Sequence, residues 1–188
     1  MQKLILIGSS TGGPGHLQRI VSSLPKDFNA TIVIAQHMGS QYLKSFASGL
    51  NDHSQLDVNL LNETTYLQNS TIYVCEQTCQ FELSNKKIKL SPVHNENQPS
   101  YNPNISRLFS SATELCVEHQ LMAIILTGIG DDGASGMLDL SRCNVQLIGE
   151  SQESAIVYGM PMRSKELIHD LSMLSINEII DSIKKFGL

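Results

Sequence analysis

The stretch LILIGSSTGGPG, residues Leu4 to Gly15, is an apolar run that ends in two serines, a threonine and four glycines. It predicts a buried strand that leads through a glycine-rich turn into a helix, because apolar residues then repeat at helical spacing: Leu17, Ile20, Val21 and Leu24. A glycine-rich turn after a strand is usually part of a binding or catalytic site. Two interpretations are open: backbone N–H groups that bind a phosphate, or a serine that attacks an acyl carbon.

The same alternation of strand and helix continues along the chain. Further buried strands are predicted at ATIVIA (Ala30–Ala35), MAIILT (Met122–Thr127) and VQLIGE (Val145–Glu150), with helical repeats between them. Because such strands are joined by right-handed crossovers, they run parallel with helices on both sides. We therefore expect an α/β fold: a doubly wound three-layer sandwich with a mostly parallel central sheet and helices on both faces.

The middle of the chain is less regular. QFELSNKKIKL (residues 80–90) predicts a β-hairpin that turns at Ser84, Asn85 and Lys86. The polar segment that follows, residues 91–104, contains three prolines and is predicted to be an exposed loop. No linker divides the chain, so we expect one domain over residues 1–188.

Composition excludes several classes of protein. The net charge of -5 disfavours a general nucleic-acid binder, and no apolar run approaches the roughly 20 residues of a membrane span. The four cysteines lack CxxC pairs and the histidines lack ligand spacing, so we expect neither a metal nor a cofactor. Free thiols favour a cytoplasmic protein.

Three polar side chains follow three predicted strands. Ser10 follows the first, His37 the second, and Asp132 follows MAIILT. Because the carboxyl ends of parallel strands meet at one edge of the sheet, we expect these side chains to lie together. They are the nucleophile, the general base and the orienting carboxylate of a serine hydrolase.

The residues around Ser10 agree with that interpretation. GSSTG (Gly8–Gly12) matches G-x-S-x-G, the pattern of a strained nucleophile turn, and the N–H of Thr11 would stabilise an oxyanion. The chain order Ser, His, Asp differs from that of the α/β-hydrolases, so only the logic of the triad transfers.

Each feature also has a structural interpretation when taken alone. A serine in a glycine turn or a histidine at a strand end is more often structural, and Asp132 could cap a helix. GIGDDG (Gly128–Gly133) matches G-x-G-x-x-G, but its two carboxylates would lie where a pyrophosphate should rest. The coincidence of three side chains at strand ends favours the hydrolase.

Four motifs in order resemble one family. They are the opening stretch, IVIAQHM (residues 32–38), IILTGIGDDGASGML (residues 124–138) and VYGMP (residues 157–161). The chain resembles the chemotaxis protein-glutamate methylesterases, the CheB family, over essentially its whole length. The resemblance implies a triad of Ser10, His37 and Asp132. It also implies that the N–H of Ile129 helps to build the oxyanion hole, with Thr11 in support.

The resemblance implies a substrate and partners as well. The substrate is a γ-glutamyl methyl ester on the cytoplasmic helical domain of methyl-accepting chemoreceptors, and the resemblance also implies deamidation of receptor glutamines. A receiver domain or other chemotaxis proteins are further partners in the family. A catalytically silent receptor-binding module is the alternative function.

The chain also departs from the family's pattern. Ile129 replaces a usual methionine, and the segments CEQTCQFEL (residues 75–83) and NPNIS (residues 102–106) lack family residues that flank the substrate groove. The family's N-terminal receiver domain is missing from this chain. We therefore expect a single methylesterase catalytic domain, either excised or free-standing.

Overall fold

A computed structural model describes residues 1–93 and 101–188. These residues form ten strands: β1 Lys3–Ser9, β2 Thr31–Gln36, β3 Asp57–Leu61, β4 Thr65–Tyr66, β5 Thr71–Cys75, β6 Cys79–Ser84, β7 Lys87–Pro92, β8 Gln120–Ile125, β9 Gln146–Glu150 and β10 Ser172–Leu174. They also form six α-helices: α1 Gly13–Ser22, α2 Ser40–His53, α3 Ile105–Ser111, α4 Ala134–Leu140, α5 Met160–Leu167 and α6 Ile176–Phe186. A 3₁₀ turn, Ala112–Leu115, extends α3.

Seven of the strands form one parallel sheet in the order β10-β9-β8-β1-β2-β5-β3. The chain builds outward from β1 through β2 on one side, then crosses back to place β8 on the other. The strand order therefore reverses beside β1, and the carboxyl ends of β1, β2 and β8 border the crevice where open α/β sheets bind ligands. The predicted α/β fold is confirmed.

The core lies on both faces of this sheet. Alternate residues of β1 point to opposite faces, so Leu4 and Leu6 belong to one apolar cluster and Ile5 and Ile7 to the other. Helices α1, α2 and α6 cover the Ile5 face, while α3, α4 and α5 cover the Leu4 face. Because β1 is buried on both faces of the sheet, its sequence is an almost continuous apolar run, as is typical of strands in parallel sheets.

The hairpin forms a separate antiparallel sheet in the order β4-β7-β6. Its turn lies where the sequence predicts it, because Asn85 and Lys86 adopt positive φ angles of 50° and 61°, although Ser84 is still the last residue of β6. The predicted exposed loop was wrong at its start. Ser91 and Pro92 extend β7 and are buried, because they pair with Gln80 and Cys79. Residues 94–100 of that loop lie outside the described residues.

None of the helices in the described part of the chain combines the length and the apolar character needed to cross a membrane.

Candidate active site

The three predicted site residues occupy the loops that leave β1, β2 and β8. Backbone hydrogen bonds connect these loops directly: the N–H of Ser10 donates to Thr127 O at 3.0 Å, and the N–H of His37 donates to Ser9 O at 2.9 Å. The turn that carries Ser10 is therefore held on one side by the loop after β8 and on the other by the loop after β2.

His37 and Asp132 form a direct pair. The distance from His37 Nε2 to Asp132 Oδ2 is 2.7 Å, and Asp132 is only 3% exposed. Burial raises the pKa of this carboxyl, but hydrogen bonds from His37 and from backbone N–H groups outweigh burial and hold the pKa below its usual value. An ionised carboxylate only accepts hydrogen bonds, so Nε2 carries the proton and Nδ1 remains as the basic nitrogen.

The Asp132 carboxylate is fully occupied by donors. Besides His37, its Oδ2 accepts from the N–H of Ile105 at 2.8 Å, while its Oδ1 accepts from the N–H groups of Ser106 at 2.9 Å and Gly133 at 2.8 Å. Ile105 and Ser106 begin α3, so this side chain does satisfy helix N–H groups, as the capping interpretation proposed. The same contacts fix the carboxylate against the imidazole.

Ser10 lies at the same edge of the sheet, and its hydroxyl makes no hydrogen bond to the described residues. Within residues 1–93 and 101–188, no hydrogen bond joins the Ser10 hydroxyl to His37. The backbone is firmly held, because Ser10 O accepts from the N–H of Gly13 at 2.9 Å and from Gln36 Nε2 at 3.0 Å. The catalytic role of Ser10 remains a prediction.

In the turn that carries Ser10, the strained backbone conformation occurs at a glycine and not at the serine. Gly12 adopts a φ of 86°, whereas Ser10 does not belong to the residues with positive φ in the described chain. A Cβ on Gly12 would also come 2.7 Å from Ile156 Cβ. The turn therefore depends on Gly12 both for its left-handed backbone and for the close approach of Ile156.

Two backbone donors face no partner. In the described chain, no hydrogen bond uses the N–H of Thr11 or of Ile129 as its donor. Thr11 directly follows Ser10, and Ile129 directly follows Gly128, whose added Cβ would come 2.7 Å from Ser10 Cβ. Both N–H groups thus lie on the loops that meet at Ser10. Their predicted role in an oxyanion hole needs only the backbone, and the Ile129 side chain is 63% exposed.

Gln36 connects the nucleophile turn to the base, a role that sequence reasoning missed. This side chain is 1% exposed; its Oε1 accepts from the Ser9 hydroxyl at 2.6 Å, and its Nε2 donates to Ser10 O and to His37 O at 2.9 Å. The sequence feature that could have indicated this role is a glutamine at the end of an apolar strand, because a buried amide must have hydrogen-bond partners.

Tyr101 was also missed. Its ring stacks on that of His37, with the centroids 5.1 Å apart and the planes 1° from parallel. The Tyr101 hydroxyl donates to Asp131 Oδ1 at 3.1 Å, and this bond to a carboxylate raises the pKa of the phenol. Gly130 leaves room for the hydroxyl, because a Cβ there would come 2.7 Å from its oxygen. Tyr101 lies in a polar segment whose sequence carries no sign of this contact.

A cavity of about 400 Å³ adjoins the His37–Asp132 pair. Its walls carry both charges and polar groups: Tyr101, Asn104, Ser106, Asp131, Asp132, Ala134, Ser135, Arg163, Glu166 and Leu167. Among the described residues, no cluster of three or more His, Cys, Asp or Glu side chains could hold a metal ion. This edge of the sheet brings together a hydroxyl, an imidazole, a carboxylate and backbone N–H groups.

Comparison with known proteins gives concordant results. The family model described as CheB methylesterase matches residues 5–183. A protein-glutamate methylesterase/protein-glutamine glutaminase of Vibrio cholerae is 35% identical over 161 residues, which cover 85% of this chain and 45% of that protein. One of Bacillus subtilis is 35% identical over 175 residues, 90% of this chain and 49% of that protein.

A solved structure is similar over the whole fold. The crystal structure of the Thermotoga maritima CheB methylesterase catalytic domain superposes with a TM-score of 0.91 at 28% identity, covering 98% of each chain. The chain spans about half the length of the curated relatives it matches.

Proposed function

This chain belongs to the CheB methylesterase family, and from that premise we propose that it hydrolyses γ-glutamyl methyl esters of chemoreceptors to glutamate and methanol. The observation that carries the proposal is the hydrogen-bonded pair of His37 and the buried Asp132, at the sheet edge that also holds Ser10. A hydroxyl beside an imidazole with an oriented proton is the arrangement that acyl transfer requires.

In the first half of the reaction, the Ser10 oxygen attacks the ester carbonyl carbon while His37 Nδ1 accepts the hydroxyl proton. Nδ1 is the nitrogen available for this step because Nε2 is bonded to Asp132. Asp132 stabilises the imidazolium that forms and remains ionised. The hydroxyl closes on Nδ1 when substrate binds, since catalytic hydrogen bonds commonly tighten only in the complex.

Charge on the carbonyl oxygen is stabilised by backbone donors. Among the described residues the N–H groups of Thr11 and Ile129 have no acceptor, and both lie on the loops that meet at Ser10, so they form the oxyanion hole in this proposal. Protonated His37 then donates to the departing methoxide, which leaves as methanol. Water activated by His37 hydrolyses the glutamyl ester of Ser10 and restores the hydroxyl.

The same groups serve amide hydrolysis, so we extend the proposal to deamidation of receptor glutamines with release of ammonia. Curated relatives carry both activities in their names. The partner is the cytoplasmic helical domain of methyl-accepting chemoreceptors, which sets a cytoplasmic location. In this proposal residues 1–188 act as one catalytic domain, and a receiver domain or other chemotaxis proteins are further partners.

Methanol release from a methylated receptor fragment tests the proposal. We expect Ser10→Ala to lose activity almost completely, because no other hydroxyl occupies its place. Ser22→Ala is the matched control: this exposed serine of α1 bonds only to Arg19 O in its own helix, so its loss should leave turnover unchanged. Wild-type turnover in the Ser10→Ala chain would contradict the proposal.

Mass spectrometry of receptor glutamines tests the deamidase activity separately. We expect conversion of particular glutamines to glutamate by the wild-type chain and none by Ser10→Ala. A chain that binds receptor but changes neither esters nor amides would instead be a silent binding module.

A further inference from the structure

Glu150, the last residue of β9, is a fully buried carboxylate that the proposed reaction does not use. Its Oε2 accepts from the N–H of Thr127 at 2.8 Å, and its Oε1 accepts from the Ser154 hydroxyl at 2.7 Å. A charge without exposure is rarely kept in a protein unless it is paired and hydrogen-bonded. The position of Glu150 beside the loop after β8 therefore calls for an explanation.

His16 faces this carboxylate. This residue of α1 is 7% exposed, and its Nδ1 lies 3.1 Å from Glu150 Oε1. The contact is at ion-pair distance, but its angles fall outside those of a hydrogen bond. Burial raises the pKa of Glu150, but His16, Ser154 and the N–H of Thr127 outweigh burial and hold the pKa below its usual value.

Thr127 links the Glu150 carboxylate to the turn that carries Ser10. Its carbonyl accepts from the N–H of Ser10 at 3.0 Å, and its hydroxyl donates to Thr11 O at 2.8 Å. The N–H of Val157 donates to the same hydroxyl at 2.9 Å, which fixes its orientation. Glu150 is thus connected to both residues of the turn through a single residue.

We propose that Glu150 is a positioning residue for Ser10, acting through Thr127, with His16 packed against its carboxylate. The proposal rests on the proposed function, because it assigns Ser10 as the nucleophile. The physical reason is that the turn has few other anchors: Gln36 holds it from the β2 side and Thr127 from the β8 side. When the carboxylate is lost, the Thr127 N–H has no acceptor and the loop shifts, which changes the direction of attack.

The test measures the reactivity of Ser10 without a receptor. A fluorophosphonate probe forms a bond between the serine oxygen and phosphorus, releases fluoride, and passes the hydroxyl proton to His37. We expect Glu150→Ala to slow labelling of Ser10 about tenfold to a hundredfold, the range that a small misplacement of reacting groups produces. With methylated receptor, kcat should fall by a similar factor while KM changes little.

Glu150→Gln is the rescue. Its amide oxygen still accepts from the N–H of Thr127, and its NH₂ group can donate to the Ser154 hydroxyl oxygen, so labelling should stay within about threefold of wild type. A role in stability alone would leave the labelling rate of folded protein unchanged in both variants.

Thr127→Val decides the question if Glu150→Ala does not fold. This change keeps the backbone bonds of Thr127 and removes the bonds of its hydroxyl, including the one donated to Thr11 O and the one accepted from the N–H of Val157, and we expect labelling about tenfold slower. The control is Thr31→Val, a buried threonine whose hydroxyl donates to Gln68 O at 2.9 Å, away from the site. Wild-type labelling rates in folded Glu150→Ala or in Thr127→Val would overturn the positioning role. A wild-type chain that is never labelled at Ser10 would instead contradict the proposed function and this role with it.

Discussion

Replacing Asp132 by Asn changes one oxygen to an NH₂ group inside a site where every neighbour is a donor. The carboxylate accepts from His37 and Ile105 on one oxygen and from Ser106 and Gly133 on the other. Asn offers an acceptor on one side only, so two of the four donors face its NH₂ group in either orientation of the amide.

The two orientations have unequal costs. An NH₂ group that faces Ser106 and Gly133 points its own hydrogens at two donors and leaves the N–H of Ser106 unpaired, while the N–H of Gly133 keeps its bond to the Ser106 hydroxyl at 2.8 Å. Facing the other way, it leaves only the N–H of Ile105 unpaired, because His37 can move its proton to Nδ1 and accept with Nε2. Since each buried unpaired donor costs about 1–3 kcal/mol, the second orientation is favoured and the chain loses about 1–3 kcal/mol of unfolding free energy.

That orientation inactivates the base. With its proton on Nδ1, His37 can no longer accept the proton of Ser10. In serine proteases the corresponding change lowers kcat about 10⁴-fold through the same tautomer, and we expect a loss of about 10³–10⁴-fold here.

Two measurements on the same protein check this reasoning. Methanol release gives kcat, and urea unfolding gives the change in stability. Asp139→Asn serves as the control, because this carboxylate of α4 also accepts a hydrogen bond, from the Ser110 hydroxyl at 2.7 Å, but lies outside the site. If folded Asp132→Asn kept kcat within about tenfold of wild type, the assigned roles of Asp132 and of Nδ1 would be refuted.

Three further predictions follow from contacts of the site. Tyr101→Ala should lower kcat about two- to tenfold, which is the kinetic equivalent of the roughly 0.5–1.5 kcal/mol of an aromatic pair. Tyr101→Phe keeps the ring stacked on His37, so its kcat should fall less. Equal kcat values for wild type and the Ala variant would contradict this prediction. Gln36→Leu removes the donors to Ser10 O and His37 O and should lower the urea unfolding free energy by about 2–4 kcal/mol; a loss below about 0.5 kcal/mol would show that these bonds contribute little. The folded pKa of Asp132 is lowered, so its contribution to stability is fully present above the ordinary carboxyl pKa of about 3.9 and is lost as pH falls through the folded pKa. The difference in unfolding free energy between wild type and Asp132→Asn should therefore shrink below about pH 4. A difference that stays constant with pH would argue against an ionised Asp132.

The fold was predictable because its signals are local and repeated. Apolar runs such as that of β1 are buried on both faces, and each is followed by a helical repeat, which leaves little choice but a parallel sheet. The error at Ser91 and Pro92 has a physical cause. Turn-forming residues normally end a strand, but cross-strand partners in β6 keep these two paired.

The meeting of Ser10, His37 and Asp132 at one edge was predictable for a similar reason, since each side chain directly follows a strand or its turn. The supporting contacts were not. Tyr101 reaches His37 from a distant polar segment, and His16 meets Glu150 across the sheet edge. No periodicity connects such residues, because their proximity comes from tertiary packing and not from spacing in the chain.

The most direct test of the account is to locate the covalent intermediate. The wild-type chain is mixed with saturating methylated receptor fragment, quenched in acid during turnover, digested, and mapped by mass spectrometry. The account predicts a glutamyl adduct on the peptide that contains Ser10, with fragmentation placing it on Ser10 and not on Ser9. An adduct on any other side chain, or methanol release by Ser10→Ala at the wild-type rate, would contradict it.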